Sequence, residues 1–234
     1  MDFVNKNGIE ICNESLRKRA AIKGVLFDMD GVILDTEKLY VQFWQEAAQY
    51  YGYPMTREMG LGMRSLSKEA GERQLKAYLG EDIDYYMVRS KRIEMMNVFI
   101  EEYGVEIKHG IHELMDYLKK KGIKTAVATS SPLDRAEKYL SQVKLLDKYD
   151  EIVSGHMVEH GKPAPDVYIY AAQKLELEPE ECLVLEDSPT GLLAAKRAGC
   201  IPVMVPDQDE PNEEVKQGIY AVAEHLLAVR EMIV

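Results

Sequence analysis

The chain is 234 residues long, room for one large domain or for a domain with a smaller insert, and enough to bury a core without disulfide or metal staples. Hydrophobic residues at 46% and charged residues at 29% exclude global disorder and fibrous repeats. A formal net charge of -11 repels phosphate backbones and anionic lipid, so neither nucleic acid nor a membrane surface is expected as a partner.

Residues 1–20 are polar and aperiodic and read as an N-terminal extension or a short surface helix. From Lys23 the pattern sharpens. Gly24-Val25-Leu26-Phe27-Asp28 is a short apolar run that stops at acidic residues and Gly31, as a buried parallel strand does. Residues 36–107 are rich in helix formers, with helices expected over Leu39–Tyr51, Leu66–Leu79 and Ile83–Tyr103 and no strand run among them. This stretch reads as a helical domain inserted into a core of residues 21–35 and 108–234. Pattern alone leaves open a large crossover packed as part of the core. Ile111–Lys121 carries Leu114 and Leu118 on one face and ends at Gly122, a favoured residue just past a helix end. Strand runs follow at Thr125–Thr129, Glu151–Ser154, Cys182–Glu186 and Ile201–Val205, where Pro202 predicts a sheet edge or a late start. Ser131-Pro132, Ala164-Pro165 and Ser188-Pro189 each place proline where a first helical turn starts, two of them behind a serine able to cap it. The alternation predicts an α/β fold, a parallel sheet with helices on both faces.

In such sheets ligands bind at the carboxyl ends of the strands. The residues that follow the apolar runs are Asp28-Met29-Asp30-Gly31, Thr129-Ser130-Ser131 and Glu186-Asp187-Ser188, with His160-Gly161-Lys162-Pro163 just past another run. Carboxylates gathered this closely repel one another unless a cation joins them, and oxygen-only ligation suits magnesium. Lys162 and helix N-termini would then hold an anion such as phosphate. Two other motifs fail: an EF-hand needs an acidic or amide residue where Val32 stands, and Gly155 to Lys162 has the wrong glycine spacing for a P-loop. His156 and His160 lie four apart but without helical periodicity, so they read as solvated loop residues rather than as a metal pair.

Asp28-Met29-Asp30-Gly31-Val32 with Asp35-Thr36, then Thr129, then Lys162 in Gly-Lys-Pro-Ala-Pro-Asp, then Glu186-Asp187-Ser188, resembles in order the four motifs of the haloacid dehalogenase-like superfamily of phosphotransferases. The insert resembles the helical cap of its β-phosphoglucomutase-like subfamily. The resemblance implies a Rossmann-like core of strand order 3-2-1-4-5 with that cap. It also implies Asp28 as nucleophile, Asp30 as general acid and base, Thr129, Ser130 and Lys162 as phosphate-binding, and Mg²⁺ ligated by Asp28, the Asp30 backbone carbonyl and Asp187, with Glu186 bonding it directly or through water. In the cap, Arg64 resembles a position that contacts a distal substrate group, and Lys91 is a further candidate.

The activity so implied is Mg²⁺-dependent hydrolysis of a small phosphorylated metabolite of the sugar-phosphate class through an aspartyl-phosphate. A β-phosphoglucomutase-type mutase is the alternative; there, a histidine follows the threonine of the first motif by four residues, and here Tyr40 takes its place. A phenol exchanges a proton near neutrality far less readily than an imidazole, which favours hydrolysis. A non-catalytic phospho-receiver would need neither Asp30 nor a cap. Cys12, Cys182 and Cys200 form no disulfide framework, and neither a signal-peptide run nor a membrane-spanning stretch of about 20 apolar residues is found, so a monomeric protein in the reducing cytoplasm is expected.

Overall fold

A strand covered by helices on both faces must bury both rows of its side chains, which is why continuous apolar runs, rather than alternating ones, become the strands. The computed structural model describes residues 8–16, 21–64, 66 and 68–233. In chain order its strands are β1 (Ile9–Ile11), β2 (Gly24–Phe27), β3 (Lys124–Thr129), β4 (Glu151–Ser154), β5 (Cys182–Glu186), β6 (Ile201–Met204) and β7 (Ala221–Ala223). Its helices are α1 (Glu37–Tyr50), α2 (Arg57–Leu61), α3 (Lys68–Leu79), α4 (Tyr85–Tyr103), α5 (Ile111–Lys121), α6 (Leu133–Gln142), α7 (Asp166–Lys174), α8 (Pro189–Ala198) and α9 (Glu213–Gly218).

The strands form one sheet in the order β1-β7-β6-β5-β2-β3-β4. Its pairs are parallel except β1 with β7. Counting β2 as the first strand, the β4-β3-β2-β5-β6 segment has the expected 3-2-1-4-5 order. The chain leaves β2 toward β3 on one side and later returns on its other side as β5. That reversal creates a crevice at the carboxyl ends of β2, β3 and β5.

Two expectations about the sheet need correction. Pro202 does not mark an edge: β6 lies between β5 and β7. The Pro202 carbonyl accepts from the Tyr220 amide, so the proline nitrogen faces the β7 side, where the ladder begins only at Val203. The missing donor therefore breaks no rung. The N-terminal stretch is not a polar appendage throughout either. Ile9–Ile11 closes the sheet edge against Ala221–Ala223, and Glu14–Leu16 forms one 3₁₀ turn.

The chain divides into two compact units, one of Met1–Leu34 with Ile107–Val234 and one of Asp35–Glu106. The first holds the sheet. The second is helical, with α1 packed on α4 and a core that includes Trp44, Met55, Leu75 and Val88. Trp44 stacks on Tyr85 at 5.8 Å and Phe43 packs on Phe99, so these two aromatic residues are packing groups. The two ends of the unit meet where the Asp35 amide donates to the Glu106 carbonyl at 2.9 Å and Lys38 bridges both side chains. Among the described residues no helix is long and apolar enough to cross a membrane.

Candidate active site

Asp28 follows directly on β2, and its amide donates to the Leu185 carbonyl of β5 at 2.9 Å, continuing the ladder one step beyond the strand. The chain then turns sharply. Gly31 adopts φ +86°, a left-handed conformation that a side chain disfavours, and the amides of Ile33 and Leu34 both return to the Met29 carbonyl. This turn holds Asp28 and Asp30 at the strand end.

The centre of the site is Lys162, whose side chain is 8% exposed. Its Nζ donates to Asp28 Oδ1 at 2.5 Å, Glu186 Oε1 at 2.7 Å and the Ala128 carbonyl at 3.1 Å, so one ammonium ties together the ends of β2, β5 and β3. Glu186 is fixed from every side. Its Oε1 also accepts from the Tyr168 hydroxyl at 2.9 Å, and its Oε2 accepts from the Ser188 amide at 3.0 Å and the Ser188 hydroxyl at 2.9 Å. Four donors fill the roughly four acceptor positions of a carboxylate. Asp28, Glu186 and Asp187 are buried, and each offers an oxygen within 4.8 Å of the others.

Lys162 is the cation shared by the buried Asp28 and Glu186 carboxylates, and the pKa shifts reflect that crowding. Burial works against the Lys162 charge, but Asp28 and Glu186 outweigh it and hold the ammonium above the ordinary lysine range. Burial also pushes the Glu186 carboxyl up, but Lys162 and the other donors prevail and lower it. Asp28 has no such set of donors. Burial, only partly countered by Lys162 and reinforced by Glu186 and Asp30, raises it to about 7.

Asp30 stands apart from this knot. Its Oδ2 accepts from the Ser131 hydroxyl at 2.8 Å and lies 3.5 Å from the Arg135 guanidinium, which also bonds the Ser131 hydroxyl. Thr129 is buried at the end of β3, where its hydroxyl accepts from the Ser131 amide at 3.0 Å, while Ser130 is exposed in the loop that follows. Ser131 was expected to cap α6. Instead its hydroxyl serves Asp30, Pro132 becomes the residue before the helix, and that helix has no side-chain cap. Of the two Ser-Pro helix starts only Ser188 caps as expected, accepting from Gly191 N at 3.1 Å.

Arg64 belongs to the helical unit. There its side chain is 6% exposed, with the guanidinium 3.7 Å from Glu37 Oε2 and Nε on the Leu61 carbonyl at 3.2 Å. Lys91 is engaged at the surface of the same unit, on Glu94 at 2.9 Å and over the Tyr50 ring at 4.5 Å. The Tyr40 ring lies under the buried Arg92 guanidinium, 4.8 Å from its centroid. The His160 ring bonds Asp166 Oδ2 at 3.2 Å. Residues that sequence reasoning missed are Arg135, Tyr168 and Gly191, and Ser131 was read at the strand end without its bond to Asp30. Only Tyr168 carried a readable hint, standing six residues after Lys162 in the first turn of α7.

The model of the haloacid dehalogenase-like hydrolases matches residues 25–205, more than half of the chain. The chain belongs to that family. It is 36% identical over 180 residues to a phosphorylated carbohydrates phosphatase of Thermotoga maritima, covering 76% of this chain and 82% of that one. It is 30% identical over 192 residues to a β-phosphoglucomutase of Bacillus subtilis, covering 79% and 83%. Among solved structures, that of CbbY from Rhodobacter sphaeroides in complex with phosphate superposes with a TM-score of 0.71 at 27% identity, covering 88% of this chain and 95% of that one. The fold is that of this hydrolase family.

Proposed function

We propose that this hydrolase is a Mg²⁺-dependent phosphatase of a small phosphorylated metabolite of the sugar-phosphate class, working through a phosphoryl group carried on Asp28. The observation that carries the reading is the buried cluster of Asp28, Glu186 and Asp187 around Lys162. The likeness to a phosphorylated carbohydrates phosphatase supports the substrate class.

The donor set fits magnesium: buried carboxylate oxygens only, close together. Asp28, Asp187 and the Asp30 carbonyl are the proposed ligands. Glu186, already accepting from four donors, adds its charge from outside that set. The ion, when bound, offsets the charge that a phosphate dianion would otherwise meet.

An Asp28 carboxylate oxygen attacks phosphorus, and the new bond forms as the bond to the substrate oxygen breaks. Asp30 gives its proton to the departing oxygen. The resulting carboxylate takes a proton from water, whose oxygen attacks phosphorus and releases Asp28 and inorganic phosphate. Lys162, Thr129 and the Ser130 loop hold the phosphoryl oxygens, and in the free protein Asp28 and Glu186 keep Lys162 charged for that role. Substrate choice is assigned to the helical cap, with Arg64 its candidate for a distal polar group.

Return of the phosphoryl group to a sugar hydroxyl is the second reading, favoured by the likeness to a β-phosphoglucomutase. Tyr40, held by its ring under Arg92, argues for water. Phosphate release and glucose 6-phosphate formation from β-glucose 1-phosphate, followed together beside a panel of sugar and sugar-alcohol phosphates, decide between them. Hydrolysis is expected to dominate with Mg²⁺ and to vanish with excess EDTA. Asp28→Asn should lower turnover about a thousandfold or more. Isomerisation with negligible phosphate release would make the mutase the better reading, and full activity in chelator would remove the metal.

A further inference from the structure

Tyr168 is wholly buried, yet its two polar contacts lead away from the hydrophobic core around it and toward the acidic cluster. Its hydroxyl donates to Glu186 Oε1 at 2.9 Å, and its ring faces Lys162 Nζ at 4.9 Å from the centroid. Burial first, then the charges of Glu186 and Asp28, hold the phenol well above its ordinary pKa, so it remains a donor. The Glu186 carboxylate therefore has a complete set of partners within the protein: Lys162 and Tyr168 on one oxygen, the amide and hydroxyl of Ser188 on the other. A lone pair used by an internal donor is withheld from a cation. Asp28, by comparison, accepts from Lys162.

We infer that Tyr168 is a positioning residue that sets cation selectivity: by occupying Glu186 Oε1 it keeps this third carboxylate out of the ligand set and so favours magnesium over calcium. The inference rests on the metal-dependent reading above. The chemistry is that of ligand number. Calcium takes six to eight oxygens in a loose geometry and gains from an added carboxylate, whereas magnesium requires a tight octahedron and keeps several waters. Every carboxylate withheld by the chain takes more from calcium than from magnesium. Position in the chain makes the device specific, because Lys162 and Tyr168 are delivered by one segment, the loop before α7 and that helix's first turn. The same segment sets the cation of the phosphate pocket and the donor that restrains Glu186.

Tyr168→Phe removes the hydroxyl and keeps the ring beneath Lys162. Calorimetric titration of the full chain with MgCl₂ and, separately, with CaCl₂ reads the effect without turnover. The substitution is expected to tighten Ca²⁺ about tenfold, on the scale of outer-shell effects at metal sites, and to change Mg²⁺ by less than about threefold. Adding Glu186→Gln to Tyr168→Phe should abolish the calcium gain, since the amide lacks the charge that makes the freed oxygen a ligand. Equal weakening of both ions, or no change in either, would overturn the inference and leave Tyr168 as a packing residue. A wild-type protein that binds neither ion removes the metal-dependent reading and the inference with it. Wild-type Mg²⁺ binding with an unchanged calcium-to-magnesium ratio in Tyr168→Phe removes the inference alone.

Discussion

Asp28 and Glu186 share one ammonium and respond in opposite directions, because Glu186 has three further hydrogen bonds and Asp28 does not share them. For Asp28 the consequence is a penalty that depends on pH. Burial, partly countered by Lys162, lifts its folded-state pKa from 3.8 to about 7. Below both values the carboxyl is protonated whether the chain is folded or not, and nothing is lost. Between them the unfolded chain releases the proton while the folded chain keeps it, so the folded state of metal-free protein loses stability as pH rises through this window. Asp28→Asn cannot titrate there. Chemical denaturation in EDTA should show wild type falling in stability relative to Asp28→Asn between about pH 5 and pH 7. A constant difference would mean that Asp28 stays ionised beside Lys162. At this scale Asp28, Asp30, Thr129, Lys162, Glu186 and Asp187 were legible, because each is a polar residue stranded at or just beyond an apolar run. Ser131 was not, since Ser-Pro before a helix looks the same whether the hydroxyl caps or serves Asp30. Arg135 and Tyr168 lie within helices whose spacing says only which face they share.

At the scale of elements, the start of α8 is built around Glu186. Gly191 lies in the first turn of α8, and a Cβ there would sit 1.6 Å from Glu186 Oε1 and 2.5 Å from Oε2. Its backbone has no positive φ, so the glycine is required for room alone. Two effects of Gly191→Ala compete. Alanine in a helix interior is worth about 1 kcal/mol over glycine. Against that, Glu186 is held by four donors and cannot step aside without breaking them, and overpacking of this kind costs about 1–3 kcal/mol. The clash should win. The substitution is expected to lower the denaturation midpoint and to lower turnover further than that loss explains, because Glu186 and Lys162 move together. An unchanged or raised midpoint with full turnover would mean that the turn shifts freely. The helix boundaries were readable where a stop or a cap is chemical, as at Gly122 and Ser188, and unreadable where geometry decides. Pro202 shows the limit: proline reports a missing donor, but only the register of β7 reveals that no acceptor waits for it.

At the scale of the whole molecule, the parallel body of the sheet and the helical insert were legible from periodicity, whereas both strands at one edge were not. β1 and β7 have three residues each, Ile-Glu-Ile and Ala-Val-Ala, too short for a period to declare itself. β1 becomes a strand by pairing with β7, which is itself paired with β6 on its other side. Ile9 pairs with Ala223 and Ile11 with Ala221, the Glu224 amide donates to the Gly8 carbonyl at 2.9 Å, and Lys216 reaches Glu10 at 3.0 Å. An edge strand presents unpaired backbone groups to other chains, so β1 shields β7 as well as adding contacts. The two isoleucines divide these roles unequally. Ile9 is 3% exposed and Ile11 41%. Ile9→Ala should cost about 2 kcal/mol, at the low end for a buried isoleucine because a three-residue edge strand can relax. Ile11→Ala should stay within about 0.5 kcal/mol, as for a surface site. Urea denaturation measures both. Hydrogen exchange at the Glu224 amide locates the loss, since it should quicken in Ile9→Ala while Val184 in the sheet interior keeps its protection. Equal effects of the two substitutions, or an unchanged Glu224 amide, would show that β1 is held by its backbone rather than by Ile9.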